Sequence, residues 1–181
     1  MAKANKQQKN SQAMKIWGLT RISLGFVFLW AFFDKLFGLG FATCRDAATN
    51  TVNVMCDSAW LAGGSPTKGF LSFGTTGPFA EFYQSLAGNT LVDWTFMIGL
   101  LGIGLALILG IGMKIATYSG ALMMILMYTA VLPASNNPII DDHIVYALVL
   151  LGLLAQNDGQ RYGFAKQWSK QPIVKQYPWL Q

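Results

Sequence analysis

The chain has 181 residues, of which 53% are hydrophobic and only 12% charged, with a mean hydropathy of +0.39. Ordinary soluble domains carry about 25% charged residues, so this balance argues against one and points to the lipid bilayer. The net charge of +5 comes from cations in short tails beside apolar runs, which fits anionic lipid and argues against a nucleic-acid partner.

Four stretches approach or reach the roughly 20 residues that cross a hydrocarbon layer: 16–39, 91–113, 115–133 and 139–156. The expected fold class is therefore all-α, a polytopic membrane four-helix bundle. Its long outer loop, 40–90, is expected to carry a short interfacial helix. The expected organisation is a basic cytoplasmic tail at 1–15, a membrane domain at 16–157 and an aromatic, basic cytoplasmic tail at 158–181. Orientation follows from the cations. Lys3, Lys6, Lys9 and Lys15 precede the first span, Lys114 joins the second to the third, and Arg161, Lys166, Lys170 and Lys175 follow the fourth. With four spans all of these share one side, so both termini are expected to be cytoplasmic.

The first apolar run is longer than the roughly 7 to 15 residues of a signal peptide and no Ala-x-Ala follows, so the span is expected to be retained. Arg21 lies near its inner end and is expected to snorkel to headgroups. Asp34 and Lys35 interrupt Phe32, Phe33, Leu36 and Phe37 near the outer end. Charges there need partners, and Asp141, Asp142 and His143 arrive at the same level. The cluster reads either as an ion-pair network or as a substrate site.

The outer segment holds both cysteines, Cys44 and Cys56. An oxidising exterior and the absence of Cys-x-x-Cys spacing favour a disulfide staple over a catalytic dithiol. Residues 78–87 open on Pro78 and place Phe79, Phe82, Tyr83 and Leu86 on one helical face, a pattern for an interfacial helix that covers the bundle or gates a site. In the second span Gly102, Ala106 and Gly110 form a small-residue face that favours close helix packing and permits self-association. Met123, Met124 and Met127 in the third read as filler, with a soft lining for an isoprenoid tail as the alternative.

Ahead of the fourth span, Pro138 suits a helix start, and carboxylates in a first turn favour the helix dipole, so at least one of Asp141 and Asp142 reads as a cap. His143 and Tyr146 lie one turn apart. A neutral imidazole can exchange a proton with a quinone and a tyrosine can hydrogen-bond its carbonyl, while interface anchoring is the plainer reading.

Several segments together carry a family resemblance. Arg21-Ile-Ser-Leu-Gly25, Phe33-Asp-Lys-Leu-Phe-Gly38, Leu107-Ile-Leu-Gly-Ile-Gly-Met-Lys-Ile-Ala116 and Asn137-Pro-Ile-Ile-Asp-Asp-His-Ile-Val-Tyr146 resemble the DoxX and DoxD membrane proteins. Gly64-Ser-Pro-Thr-Lys-Gly-Phe-Leu-Ser-Phe73 is more similar to the DoxD branch. The resemblance implies a subunit of thiosulfate:quinone oxidoreductase, with a DoxA-like or other redox chain as partner. Membrane quinone would be a substrate, and no haem, iron–sulfur or Rossmann motif calls for a tightly bound cofactor. On this reading His143, Asp142 and Asp34 are candidate catalytic groups, and Lys35, Arg45 and Tyr146 candidate substrate-binding groups. The alternative is a noncatalytic DoxX-type scaffold that recruits or stabilises a redox enzyme.

Overall fold

The computed structural model describes residues 2–135, 137–156 and 162–181, with side chains from Ser11 onward. The side chains of Lys3, Lys6 and Lys9, the Arg161 cation and the expected boundary at 157/158 lie outside them.

Helix is the main regular structure of the described residues, whose one extended pairing is an isolated antiparallel bridge between Arg45 and Val52. Helix α1 (Ala2–Phe37) starts well before the expected span and continues through it. It ends where Gly38 takes the left-handed conformation, with the Gly38 and Leu39 amides on the Asp34 carbonyl. The outer segment follows and contains α2 (Ala80–Ser85), preceded by a 3₁₀ turn at Gly77–Phe79 with Pro78 in its first turn. The helix expected at 78–87 is thus present in shorter form.

Helix α3 (Thr90–Leu109) begins at Asn89, whose side chain accepts from the Leu91 and Val92 amides. It stops at Gly110, with φ 69°. Helix α4 (Met113–Ala130) follows after Gly112. Helix α5 (Asp142–Gln156) begins later than Pro138 suggests, because Asp141 caps it by accepting from the His143 and Ile144 amides at 3.1 and 3.3 Å. Two short helices, α6 (Ala165–Trp168) and α7 (Pro172–Gln176), complete the chain.

One core joins α1, α3, α4 and α5, with Leu24, Phe28 and Phe32 from the first, Met97, Leu100, Ile103 and Leu107 from the second, Met124 from the third and Leu150 and Leu153 from the fourth. The sets from α1, α3 and α5 repeat at three or four residues, as one face of a helix must. Helices α1 and α3 approach closely at Gly25 and Gly104. A Cβ on Gly25 would stand 2.9 Å from Leu107 and Ile108, and one on Gly104 would stand 2.9 Å from the Leu29 amide nitrogen. The expected packing face differs here, since Gly102 is exposed with open space where a side chain would go.

The opposite faces expose Phe26, Ile98, Leu105, Leu122 and Leu148. By length and composition, two helices can cross a membrane, 11–37 within α1 and the whole of α3. Helix α5 is apolar but has 15 residues, short of the roughly 20 for a full crossing.

The ends of the helices sort into two groups. At one end the C-terminal segment folds onto the α3–α4 connection: Phe164 donates to Leu109 O at 2.8 Å, Lys114 donates to Pro178 O and Gln181 O, and Trp168 Nε1 donates to Leu180 O. At the other end the Thr76 amide donates to Ala130 O and the Tyr128 hydroxyl to Ile139 O, tying the outer segment and the 131–141 connection to the end of α4.

Candidate functional site: a cleft beneath the outer segment

A cleft of about 1420 Å³ lies beneath the outer segment, between α3 and α4. Lys35, Asp57 and Lys68 bring charge to it, and Ser65, Thr67 and Thr95 bring hydroxyls. Phe70, Phe96, Gly99, Ile103, Met123, Leu126 and Met127 form the apolar walls. Tyr83 and Leu86 at α2 close one side. The Tyr83 hydroxyl sits between Leu126 O at 3.0 Å and Thr129 Oγ1 at 2.7 Å, so α2 is pinned to α4 at the rim. Leu91, Leu122 and Leu126 line the cleft and are also exposed, which opens its apolar side to the outer surface of the helices.

Lys35 is the expected substrate-binding residue that reaches this space. Its Nζ lies 5.9 Å from the centre of the Phe96 ring, within range of a cation–π contact. Asp34, one residue earlier, turns the other way. It is 1% exposed and accepts from the Phe41 and Ala42 amides, both at 2.9 Å. Its carboxylate thus fixes the exit of the chain from α1, where burial without these donors would be costly.

Arg45 belongs to a separate turn, donating to Gly40 O and, at 2.8 Å, to Asn50 Oδ1. Within that turn the Asp46 carboxyl is held below its ordinary range by hydrogen bonds from Thr49, backbone then side chain, and from Ala48. Cys44 and Cys56 form a disulfide, with Cα atoms 5.7 Å apart, that staples this turn to the start of the next.

The acid–base residues of α5 form their own pair. His143 Nδ1 is 2.6 Å from Asp141 Oδ2, a hydrogen bond that becomes an ion pair when the imidazole is protonated. Burial pushes the Asp141 carboxyl up, but the hydrogen bonds from His143 and the Ile144 amide outweigh it, and the net direction is down. Asp142 is exposed in the first turn, and Tyr146 packs partly buried against the core. Neither Asp142, His143, Tyr146 nor Arg45 lines the cleft with Lys35. The ion-pair network expected to join Asp34 and Lys35 to the Asp-Asp-His stretch is replaced by two local arrangements, Asp34 with the loop amides and Asp141 with His143.

Arg21 does not snorkel. It is fully buried and donates to the carbonyls of Leu107 and Ile108 in the last turn of α3, a favourable place for a cation. Gly110 makes room for it, because a Cβ there would lie 2.5 Å from the guanidinium.

Asp93 is a polar residue that sequence reasoning passed over. It is 6% exposed, and its Oδ1 accepts from Ser65 Oγ at 2.9 Å, Thr67 N at 3.1 Å and Thr67 Oγ1 at 2.6 Å. Through these bonds α3 holds the 64–68 strip, and with it one wall of the cleft. A carboxylate in the first turn of an apolar run was the available signal.

No family model, curated protein or solved structure matches this chain.

Proposed function

We propose that the chain is a multi-pass membrane redox protein that passes electrons from a sulfur oxyanion to membrane quinone, in the manner of the DoxD subunit of thiosulfate:quinone oxidoreductase. The observation that carries this reading is Lys35, a cation half-buried in a large, mainly apolar cleft that opens between two apolar helices. A fixed positive charge in such a wall attracts an anion, while the apolar side admits a lipid-soluble partner.

In this reading α1, α3, α4 and α5 all cross the bilayer, α5 together with the residues just ahead of it because its own 15 fall short, with both termini cytoplasmic and the disulfide outside. Lys114 and the C-terminal lysines then occupy the cytoplasmic end. Two thiosulfates give up one electron each and join through a new sulfur–sulfur bond as tetrathionate. The quinone takes those two electrons and two protons to become the quinol. Lys35, with Lys68, holds the sulfur anions, and His143, oriented by Asp141 and flanked by Asp142 and Tyr146, passes protons to the quinone. Close positioning of anion and ring supplies the rate advantage.

A specific observation favours a second reading, a noncatalytic scaffold for a DoxA-like or other redox chain: the α5 pair stands apart from the cleft lining. The two readings separate in one experiment. Purified protein is given thiosulfate and a soluble quinone; quinone reduction that falls in Lys35→Ala and His143→Ala supports the enzyme. Full activity in both variants overturns the site, and no activity alone with stable co-purification of a second redox chain supports the scaffold.

A further inference from the structure

The C-terminal residues, expected as a tail, fold into a surface instead. Val174 is fully buried and Ala165 nearly so, the Phe164 amide donates to Leu109 O at 2.8 Å, and Lys114 Nζ donates to Pro178 O at 3.1 Å. Trp168 Nε1 closes the segment on itself through Leu180 O at 2.6 Å. Helices α6 and α7 are thereby pinned across the end of the bundle at the α3–α4 connection, opposite the end that carries Asp93 and the Asp141–His143 pair.

Two kinds of side chain are left facing outward. Tyr162, Phe164, Ile173, Tyr177 and Trp179 are exposed, and Lys166, Lys170 and Lys175 are exposed between them. Lys114 joins them through its bond to Pro178. Among the described residues no carboxylate offsets this charge: α1 has none before Asp34, that of α3 is Asp93 at the far end, and α4 and residues 162–181 have none. The exposed Ile16, Leu19 and Ile115 continue along α1 and α4 from the same end, so the surface runs on into the apolar outer faces of the helices.

Lysines and exposed rings in one layer, at the end of two helices long and apolar enough to cross a membrane, match the headgroup region of a bilayer. There amines meet phosphates, and tyrosine and tryptophan keep an apolar body towards the acyl chains and a polar edge towards water. An acidic protein would meet the lysines too, but the continuity with apolar helix faces favours lipid. We infer that residues 162–181 form a foot that binds anionic phospholipid of the adjoining leaflet, with Lys166, Lys170 and Lys175 on the phosphates and the exposed rings in the headgroup layer. A zwitterionic headgroup sets a cation above the same phosphate, so the lysines select against it. The foot needs the chain to lie in a bilayer, as in the reading above, and is independent of the redox chemistry of the cleft.

The test uses the full chain in phosphatidylcholine nanodiscs containing a trace of either phosphatidylglycerol or phosphatidylcholine, each with the same photoreactive group beside the phosphate. Labelled residues are mapped by peptide mass spectrometry. Phosphatidylglycerol should label residues 162–181 at least about fivefold more than phosphatidylcholine does, the factor expected from a single lysine at an anionic surface. The excess should vanish in about 1 M salt, where the Debye length is about 3 Å. It should also vanish in the combined Lys166→Gln, Lys170→Gln and Lys175→Gln variant and persist when the same three become arginine. The salt arm decides if the glutamine variant fails to fold. Equal labelling by the two lipids, or an excess that survives the salt or the glutamine substitutions, overturns the inference. So does labelling abolished by a stoichiometric polyglutamate peptide, which assigns the surface to an acidic protein. Incorporation into the discs is scored separately by size exclusion: failure to incorporate overturns the membrane reading and the foot with it, whereas incorporation without the excess counts against the foot alone.

Discussion

Asp34 and Lys35 are adjacent in sequence but part company at the end of α1. Asp34 points to the Phe41 and Ala42 amides and is a structural carboxylate, while Lys35 faces the cleft and Phe96. Asp34→Ala leaves two amides without their acceptor and should cost about 2 kcal/mol, read as a lower unfolding midpoint in detergent, since hydrogen bonds to a charged group are worth about that much. Asp141 gives a pH-dependent counterpart. Its carboxyl is lowered from its ordinary 3.8 by its bonds to His143 and Ile144, so its contribution to stability is fully present above that value and fades as pH falls through the lower folded one. The stability gap between the unsubstituted protein and Asp141→Asn should therefore be open at about pH 5 and narrow as the pH falls below 3.8. A gap that widens as the pH falls below 3.8 would contradict the assignment. The sequence shows that these charges need partners, but the partners of Asp34 are backbone amides seven and eight residues on, which come within reach only because Gly38 turns the chain.

At the scale of elements, the outer segment is held by two independent fastenings. The Cys44–Cys56 disulfide closes a loop with a sequence separation of 12, worth on the order of 3 kcal/mol by the chain-entropy estimate. Reduction, or the double substitution to serine, should lower stability by that order and loosen residues 44–56, measured by hydrogen exchange. Asp93 fastens the 64–68 strip to α3. Asp93→Ala should cost about 2 kcal/mol or more by leaving buried donors unpaired and should open that strip to proteolysis, with the 44–56 turn unaffected. Cleavage spreading through the whole outer segment would show that the two fastenings are coupled. The staple, the short helix after Pro78 and the α5 cap are legible in sequence because each depends on residues close along the chain. The α1–α3 crossing is not, because Gly102, Ala106 and Gly110 present a regular small-residue face while the contact that forms is Gly25 on Gly104, a choice set by how the two helices lean together. Arg21 is hidden in the same way: its carbonyl partners lie 86 and 87 residues away.

For the whole molecule, hydropathy marks the helical, lipid-compatible character of the chain, and two helices meet the length and apolarity of a crossing segment. It does not find the cleft, whose walls come from the end of α1, the 64–74 strip, α2, α3 and α4. Of the expected substrate-binding residues the cleft gathers Lys35, joined by Lys68, while Arg45 holds a surface turn and Tyr146 packs with α5. The central claim is that Lys35 binds the electron-donating anion within this cleft. It is tested most directly by kcat/KM for thiosulfate in purified protein with a soluble quinone, comparing Lys35→Ala, Lys35→Arg and the unsubstituted chain. The account expects a loss of about 10²-fold in Lys35→Ala, as for removal of one preorganised charge partner, with substantial recovery in Lys35→Arg. Equal kcat/KM in all three would contradict it.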